Sequence, residues 1–158
     1  FDAIDAVIHC TGGIRAGVSI AESNVSLLDE MISLNLRTTY NVMRSSAPLL
    51  GMRGGTFICV AARAALHAEA HKGAYAAAKA AVIALCATFA EEGRTQGIRA
   101  HTVVPGILKT PSNVEWAKNG EERSWIEPKD VAQCMYSLCT EEFSGVSGLV
   151  VPMLEGVQ

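Results

Sequence analysis

Four short apolar segments, separated by longer helical ones, constrain the fold of this chain more than any other feature. Each segment is mainly apolar, although the third contains Arg99, His101 and Thr102, and none alternates regularly between apolar and polar residues. Strands of this kind are buried on both faces, which is typical of a parallel sheet covered by helices. The predicted strands are Ala6 to His9 within the run Ala3 to Cys10, Thr56 to Val60, Arg99 to Val104, and Gly148 to Met153.

Helix signals lie between these strands. The predicted helices run from Ser26 to about Ala47, from Ala74 to Glu92, and from Pro128 to about Thr140. Ser26 supplies a capping hydroxyl, and Pro48 disfavours a helical residue before it. The second helix is apolar nearly all round, so we expect it to be covered on more than one side. The order β-α-β-α-β-α-β predicts one α/β domain over residues 1–158, a three-layer α/β/α fold with a parallel sheet.

Composition excludes several classes of function. Apolar residues make up 49% of the 158 residues and charged residues 18%, which indicates a globular chain with a core and not a disordered one. A net charge of −3 without a run of basic residues argues against nucleic acid as a partner. Lys79 interrupts the longest apolar segment, so we expect no membrane partner. Five cysteines without a Cys-x-x-Cys pair predict reduced, buried thiols in a cytoplasmic protein, with no disulfide or metal site.

The segment Tyr75-Ala-Ala-Ala-Lys79 carries the strongest chemical signal. Residues four apart lie one above the other on a helix face. An ammonium beside a phenol favours the phenolate, so the sequence predicts that Lys79 lowers the pKa of Tyr75. A phenol with a pKa nearer neutrality exchanges a proton with a developing anion, which predicts Tyr75 as a general acid/base.

Three other features accompany this pair in a fixed order. The turn His9-Cys10-Thr11-Gly12 follows the first strand, Asn35 lies in the first helix, and Pro105-Gly106 ends the third strand with Thr110 four residues on. With these landmarks the chain resembles the C-terminal half of the short-chain dehydrogenase/reductase family along essentially its whole length. The resemblance implies a Rossmann-type doubly wound fold. It also implies that the family's N-terminal βαβαβ part, with the Gly-rich phosphate loop, is missing from these residues.

The resemblance also implies the roles of individual residues. Tyr75, Lys79 and Asn35 would be catalytic, with Asn35 holding a water that links Lys79 to solvent. The cofactor would be NAD or NADP, bound by the residues Gly12, Tyr75, Lys79, Pro105, Gly106, Ile107 and Thr110. No metal is expected. The family's long Ala-rich helix forms subunit contacts, which implies a homodimer or homotetramer.

The chain departs from the family pattern at Ala62. This position, thirteen residues before Tyr75, holds a serine in the family, and a methyl group cannot donate the hydrogen bond that polarises a substrate carbonyl. The neighbouring Arg63 is expected to point elsewhere. The segment from Ala62 to Leu66, the pair Gly12-Gly13 and Trp125-x-x-Pro128 resemble the quinonoid dihydropteridine reductase branch, which also lacks the serine.

The sequence leaves two functions open. The first is an NAD(P)-dependent oxidoreductase that transfers hydride to a small C=O or C=N substrate, including a quinonoid dihydropterin. The alternative is a catalytically silent relative that binds a dinucleotide or a partner subunit.

The roles of two further pairs of side chains also remain open. His67 and His71 have a metal-like spacing without a third ligand, and we expect them to border the substrate pocket. Trp116 and Trp125, in the predicted lid Lys109 to Glu127, either stack on a flat substrate or pack the lid.

Overall fold

The computed structural model describes residues 2–156, which form a four-stranded parallel sheet in the order β1-β2-β3-β4. The strands are β1 Ala6–His9, β2 Gly55–Val60, β3 Ile98–Pro105 and β4 Val150–Met153. The α-helices are α1 Val25–Met31, α2 Thr38–Leu50, α3 Gly73–Glu92, α4 Pro111–Val114 and α5 Pro128–Cys139, with a π-helical segment Ile32–Arg37 between α1 and α2. The predicted α/β architecture with a parallel sheet is confirmed.

The two central strands, β2 and β3, are buried on both faces. Phe57 and Cys59 face a core formed with α2 and α3, where the Phe57 and Phe89 rings meet edge to face at 5.6 Å. Ile58 and Val103 face a second core formed with α5. Burying a side chain such as Phe57 contributes about 1.5–3 kcal/mol. The absence of alternation in β2 and β3 is therefore explained by helices on both faces of the sheet. The prediction of a buried strand is wrong for β1, and β4 is also largely exposed, because both lie at the edges of the sheet.

The first predicted helix differs from the structure at both ends. Its cap is Asn24, whose side chain accepts a hydrogen bond from the Ser26 N–H, so Ser26 is not the cap. At the other end the helix continues through Pro48 to Leu50. Leu50 is fully buried in the core, and the proline removes one backbone hydrogen bond only in the last turn. Core packing therefore outweighs the local preference that predicted an end at Ala47.

The helix α3 is apolar enough to test the expectation about membranes. By length and composition alone it could cross a membrane, contrary to what the position of Lys79 led us to expect. This is weak evidence, because a core helix passes the same test. Here α3 packs on β3 and on the π-helical segment, with Val82, Cys86 and Phe89 in the core.

The five cysteines are free thiols, and the prediction that such thiols are buried holds for only two of the five. Cys59 and Cys86 are buried, Cys134 and Cys139 are partly buried, and Cys10 is exposed.

Candidate active site

A cleft of about 470 Å³ lies at the carboxyl ends of the strands. The loops that follow β1, β2, β3 and β4 all contribute to its lining, as does the start of α3. In open parallel sheets, ligands bind at this edge. Most of the predicted site residues meet here: Gly12, Tyr75, Lys79, Pro105, Gly106 and Ile107.

Tyr75 and Lys79 lie on the same side of α3, and both side chains line the cleft. Tyr75 is half-buried, whereas Lys79 is only 5% exposed. The Lys79 ammonium donates a hydrogen bond of 2.8 Å to the carbonyl oxygen of Val60, the last residue of β2. An ammonium has three N–H donors, so this bond fixes the lysine and leaves donors for a ligand.

The pKa of Tyr75 is raised from its ordinary value, which contradicts the prediction from sequence. Burial is the main cause, and the negative charge of Glu69 is the second. Both oppose formation of the phenolate. Burial also lowers the pKa of Lys79, partly offset by the Cys59 and Cys10 thiols. In this structure the phenol is therefore held in its protonated form at neutral pH.

Asn35 is fully buried beside the turn that follows β1. Its amide nitrogen donates to the carbonyl oxygens of Gly13 and Met31, both at 3.0 Å, and its amide oxygen accepts from the Gly13 N–H at 3.1 Å. The side chain therefore fixes the turn that lines the cleft. Its predicted role in a water relay stays a prediction.

Gly12 packs against two of the predicted catalytic side chains. A Cβ atom on Gly12 would lie 2.7 Å from the Asn35 amide oxygen and 3.0 Å from the Lys79 nitrogen. Only a residue without a side chain leaves both groups in place. Gly12, Asn35 and Lys79 therefore form one packed unit at the floor of the cleft.

The π-helical segment that contains Asn35 was not predicted. Residues Ile32–Arg37 bond five residues apart instead of four. Such segments are rare and are frequently found at functional sites. Nothing in the side-chain pattern of this stretch distinguishes it from an ordinary α-helix, so sequence reasoning had no signal for it.

Glu155 is a second residue that sequence reasoning missed. One of its carboxylate oxygens accepts a hydrogen bond of 2.7 Å from the Ile107 N–H, and the other accepts one of 3.0 Å from Arg63. Gly106 makes room for it, because a Cβ there would clash with the Glu155 carboxylate. The expectation that Arg63 points away from the site is wrong, since Arg63 lines the cleft.

The other predicted site residues have varied positions. Ala62 lines the cleft in an extended conformation, with only a methyl group to offer. Thr110 caps α4 by accepting a hydrogen bond from the Asn113 N–H, and its contact with a cofactor stays a prediction. His67 and His71 are not part of the cleft lining, where Glu69 and Lys72 from the same loop are found instead.

The segment after β3 forms a lid that is fixed at its base. The Ile126 N–H donates to the Ile107 carbonyl at 2.9 Å, and the Lys109 N–H donates to the Ile126 carbonyl at 2.8 Å. Trp125 is buried and packs against Trp116, with ring centroids 4.9 Å apart. Trp116 is half exposed and lines the cleft, so the tryptophan pair both packs the lid and presents an aromatic face to the site.

The described residues hold no cluster of three or more His, Cys, Asp or Glu side chains of the kind that binds a metal. The class of site they define is instead a ligand cleft of an open α/β sheet, with a phenol, an ammonium and backbone turns at the carboxyl ends of parallel strands. Comparison with known proteins agrees with this class. A family model described as "Enoyl-(Acyl carrier protein) reductase" matches residues 1–158. The chain belongs to the short-chain dehydrogenase/reductase family.

Individual relatives are distant but cover nearly the whole chain. The 3-oxoacyl-[acyl-carrier-protein] reductase FabG of Thermotoga maritima is 27% identical over 157 residues, which cover 94% of this chain and 63% of that protein. The structure of a short-chain type dehydrogenase/reductase from Mycobacterium ulcerans matches with a TM-score of 0.89 at 25% identity, covering 96% of this chain and 59% of that one. The fold of 4-hydroxyisoleucine dehydrogenase complexed with NADH matches with a TM-score of 0.81 at 24% identity, covering 94% and 66%. The chain thus spans about three fifths of the length of the curated relative.

Proposed function

We propose that this chain carries the catalytic half of an NAD(P)-dependent reductase, which transfers hydride to a small C=O or C=N substrate with Tyr75 as the proton donor. One observation carries the proposal: the Tyr75 phenol and the Lys79 ammonium line one cleft at the carboxyl ends of the parallel strands. Membership in an oxidoreductase family and the named activities of the relatives support the same reaction class.

The residues of the cleft fit a nicotinamide cofactor. Gly12 lines the cleft and packs directly on Asn35 and Lys79, with no side chain between them. Lys79 would hold the ribose hydroxyls with the donors that Val60 does not use, and Pro105, Gly106 and Ile107 would line the ring. Bound there, the cofactor supplies the hydride. The choice between NAD and NADP lies with residues that recognise the adenosine ribose, so both are proposed.

Tyr75 supplies the proton. Burial and Glu69 raise the pKa of the phenol, so it is protonated at neutral pH, the form that a proton donor needs. The electron pair of the C=O or C=N bond moves to the oxygen or nitrogen atom as hydride reaches the carbon, and that atom takes the phenol proton.

The identity of residue 62 affects which substrates are favoured. Without a hydroxyl at this position, a substrate that spreads the arriving charge over a ring is favoured over a simple ketone. We therefore include a quinonoid dihydropterin, whose reduction matches the dihydropteridine reductase-like features of the sequence. The half-exposed Trp116 offers a face on which such a ring can stack.

Ala62 also favours the second candidate, a catalytically silent relative that binds a dinucleotide or a partner subunit. A homodimer or homotetramer and a cytoplasmic location remain predictions for the protein. The two candidates separate in one assay, because a silent relative binds NADH or NADPH without oxidising it.

The test is NAD(P)H oxidation by the full-length protein with a quinonoid dihydropterin and then with a panel of ketones and cyclic imines. Tyr75→Phe should lower kcat by about 10²-fold or more while NADH binding persists. Tyr136→Phe is the matched control, because Tyr136 is exposed on α5. If the wild type and Tyr75→Phe have the same kcat, Tyr75 is not the proton donor.

A further inference from the structure

Hydride addition places negative charge on the accepting atom of the substrate, and a second donor beside Tyr75 would stabilise it. Ala62 cannot donate. The Asn113 amide already donates to the Leu108 carbonyl at 2.8 Å, and Lys72 is paired with Glu69. Lys79 is bonded to the Val60 carbonyl, and its remaining donors are assigned above to the cofactor ribose.

Arg63 lines the same cleft and keeps unused donors. Its Nη1 donates to Glu155, whereas Nε and Nη2 have no hydrogen-bond partner within residues 2–156. A guanidinium has five N–H donors and stays charged at any working pH, so one ion pair does not exhaust it. Arg63 is therefore the cleft residue with the most donor capacity left for a ligand.

The backbone that carries Arg63 is fixed. The residue starts the 3₁₀ turn Arg63–Ala65 directly after Ala62, and its carbonyl accepts hydrogen bonds from the Leu66 N–H at 2.9 Å and the His67 N–H at 3.0 Å. A group that stabilises developing charge acts best when its position is set before the reaction. The turn sets the starting point of this side chain at the end of β2.

Glu155 fixes the other end of the side chain. Its carboxylate joins Arg63, after β2, to the Ile107 N–H, after β3, and Glu155 itself follows β4. The bridge therefore spans the carboxyl ends of three neighbouring strands. Both carboxylate oxygens are occupied, so Glu155 orients the guanidinium of Arg63, whose side chain is 52% exposed and lines the cleft.

We propose that Arg63 is a catalytic residue that donates a hydrogen bond to the substrate atom receiving the electron pair, in the place where Ala62 offers only a methyl group. Glu155 is its positioning residue. The proposal rests on the proposed reductase function. The bond that breaks is the π bond of C=O or C=N, the carbon gains hydride, the heteroatom gains the Tyr75 proton, and Arg63 keeps its own protons throughout.

The test compares five variants of the full-length protein in steady-state reduction: Arg63→Ala, Arg63→Lys, Ala62→Ser, the double variant Ala62→Ser/Arg63→Ala, and Glu155→Gln. Arg63→Ala should lower kcat by about 10²- to 10³-fold, as removal of one oxyanion donor does, with a smaller change in KM. Arg63→Lys should retain more activity, because it keeps a charge but loses the planar fork. The control is Arg94→Ala, an exposed Arg–Glu pair away from the cleft.

The double variant separates catalysis from structure. A serine hydroxyl at position 62 should raise kcat of Arg63→Ala by about 10-fold or more but leave kcat nearly unchanged when Arg63 is present (Ala62→Ser), whereas a purely structural arginine would give the same gain in both backgrounds. Glu155→Gln should lower kcat less than Arg63→Ala does, and free guanidinium ion at millimolar concentration should partly rescue Arg63→Ala.

Two results would overturn the inference in different ways. If Tyr75→Phe loses turnover but Arg63→Ala keeps its wild-type kcat with an unchanged melting temperature, Arg63 is not catalytic and the reductase function stands. If the wild type reduces no substrate of the panel, the proposed function fails and the role of Arg63 fails with it.

Discussion

Asn35 holds Gly13 from both sides of its backbone: the asparagine amide nitrogen donates to the Gly13 carbonyl at 3.0 Å, and the amide oxygen accepts from the Gly13 N–H at 3.1 Å. The two residues are 22 positions apart in the sequence. A third bond, to the Met31 carbonyl, fixes the side chain within its own helix. The turn that follows β1 is therefore attached to the first helix through one buried amide.

We expect Asn35→Leu, which is close in volume, to lower the free energy of unfolding by about 2 kcal/mol or more. The substitution leaves the N–H and carbonyl of Gly13 without their partner, and unsatisfied groups cost about 1–3 kcal/mol each. Urea denaturation measures the change. Asn41→Leu is the control, since Asn41 is an exposed residue of α2. Equal stability of the two variants would contradict the role assigned to the Asn35 amide.

Gly12→Ala should weaken NADH binding by about tenfold or more. Its new methyl group would lie 2.7 Å from the Asn35 amide oxygen and 3.0 Å from the Lys79 nitrogen, and forcing such groups apart costs about 1–3 kcal/mol. Gly13→Ala is the matched control, because its methyl would meet only the flexible end of Leu34. Fluorescence titration with NADH gives both dissociation constants. If Gly13→Ala weakens binding more than Gly12→Ala, the packed unit at the cleft floor does not position the cofactor.

Much of the fold was predictable because it depends on burial. The central strands β2 and β3 carry apolar residues on both faces and so require cover on both, which indicates a parallel sheet with helices on each side. The helix beginning at Pro128 followed from the preference of proline for a first turn, and the structure confirms it. The ends of the first helix were not predictable in the same way, because the burial of Leu50 outweighs the local effect of Pro48.

The site was predictable where it depends on spacing and not where it depends on long-range contacts. Tyr75 and Lys79 share a face because they are four residues apart. The raised pKa of Tyr75 was not predictable, since its causes are burial and Glu69, a charge in the preceding loop. Arg63 lies in the cleft because Glu155, 92 residues later, binds it there. A contact at that separation leaves no local pattern in the sequence.

Because His101 is buried, we expect the free energy of unfolding to fall in mild acid. The residue is fully buried in β3, and neither ring nitrogen has a partner among residues 2–156. Burial, and secondarily the charge of Arg99, lower its pKa to about 4. Above pH 6.5 the ring is neutral in the folded and unfolded states. Between about pH 6.5 and pH 4 only the unfolded chain takes up the proton, so the free energy of unfolding falls by up to about 1.4 kcal/mol per pH unit.

The variant His101→Leu should therefore lose less stability than the wild type between pH 7 and pH 5. Urea denaturation at each pH gives the two slopes, and their difference isolates His101 from His9, whose pKa is also lowered by burial. His67→Gln serves as the control, because His67 is exposed in a loop. Identical slopes for His101→Leu and the wild type would show that the ring is not kept neutral by the fold.

We expect the substitution Glu69→Gln to change the pH dependence of catalysis. The negative charge of Glu69 is the second cause of the raised pKa of Tyr75, after burial, and Glu69 also pairs with Lys72. In Glu69→Gln the anion is removed and the Lys72 cation loses its partner, and both changes favour the phenolate. The pKa of Tyr75 should therefore fall. In the oxidation direction, where the phenolate accepts a proton, the rising limb of the kcat profile should move to lower pH.

The measurement is the pH profile of alcohol oxidation together with an ultraviolet titration of phenolate, from which the signal of Tyr75→Phe is subtracted to isolate this residue from Tyr40 and Tyr136. Glu92→Gln is the control, an exposed carboxylate at the far end of the same helix. If the rising limb of the kcat profile of Glu69→Gln stays in place or moves to higher pH, Glu69 is not a charge that raises the pKa of Tyr75. An equal shift of the limb in Glu69→Gln and Glu92→Gln would indicate a general effect of net charge, because Glu69 lines the cleft and Glu92 does not.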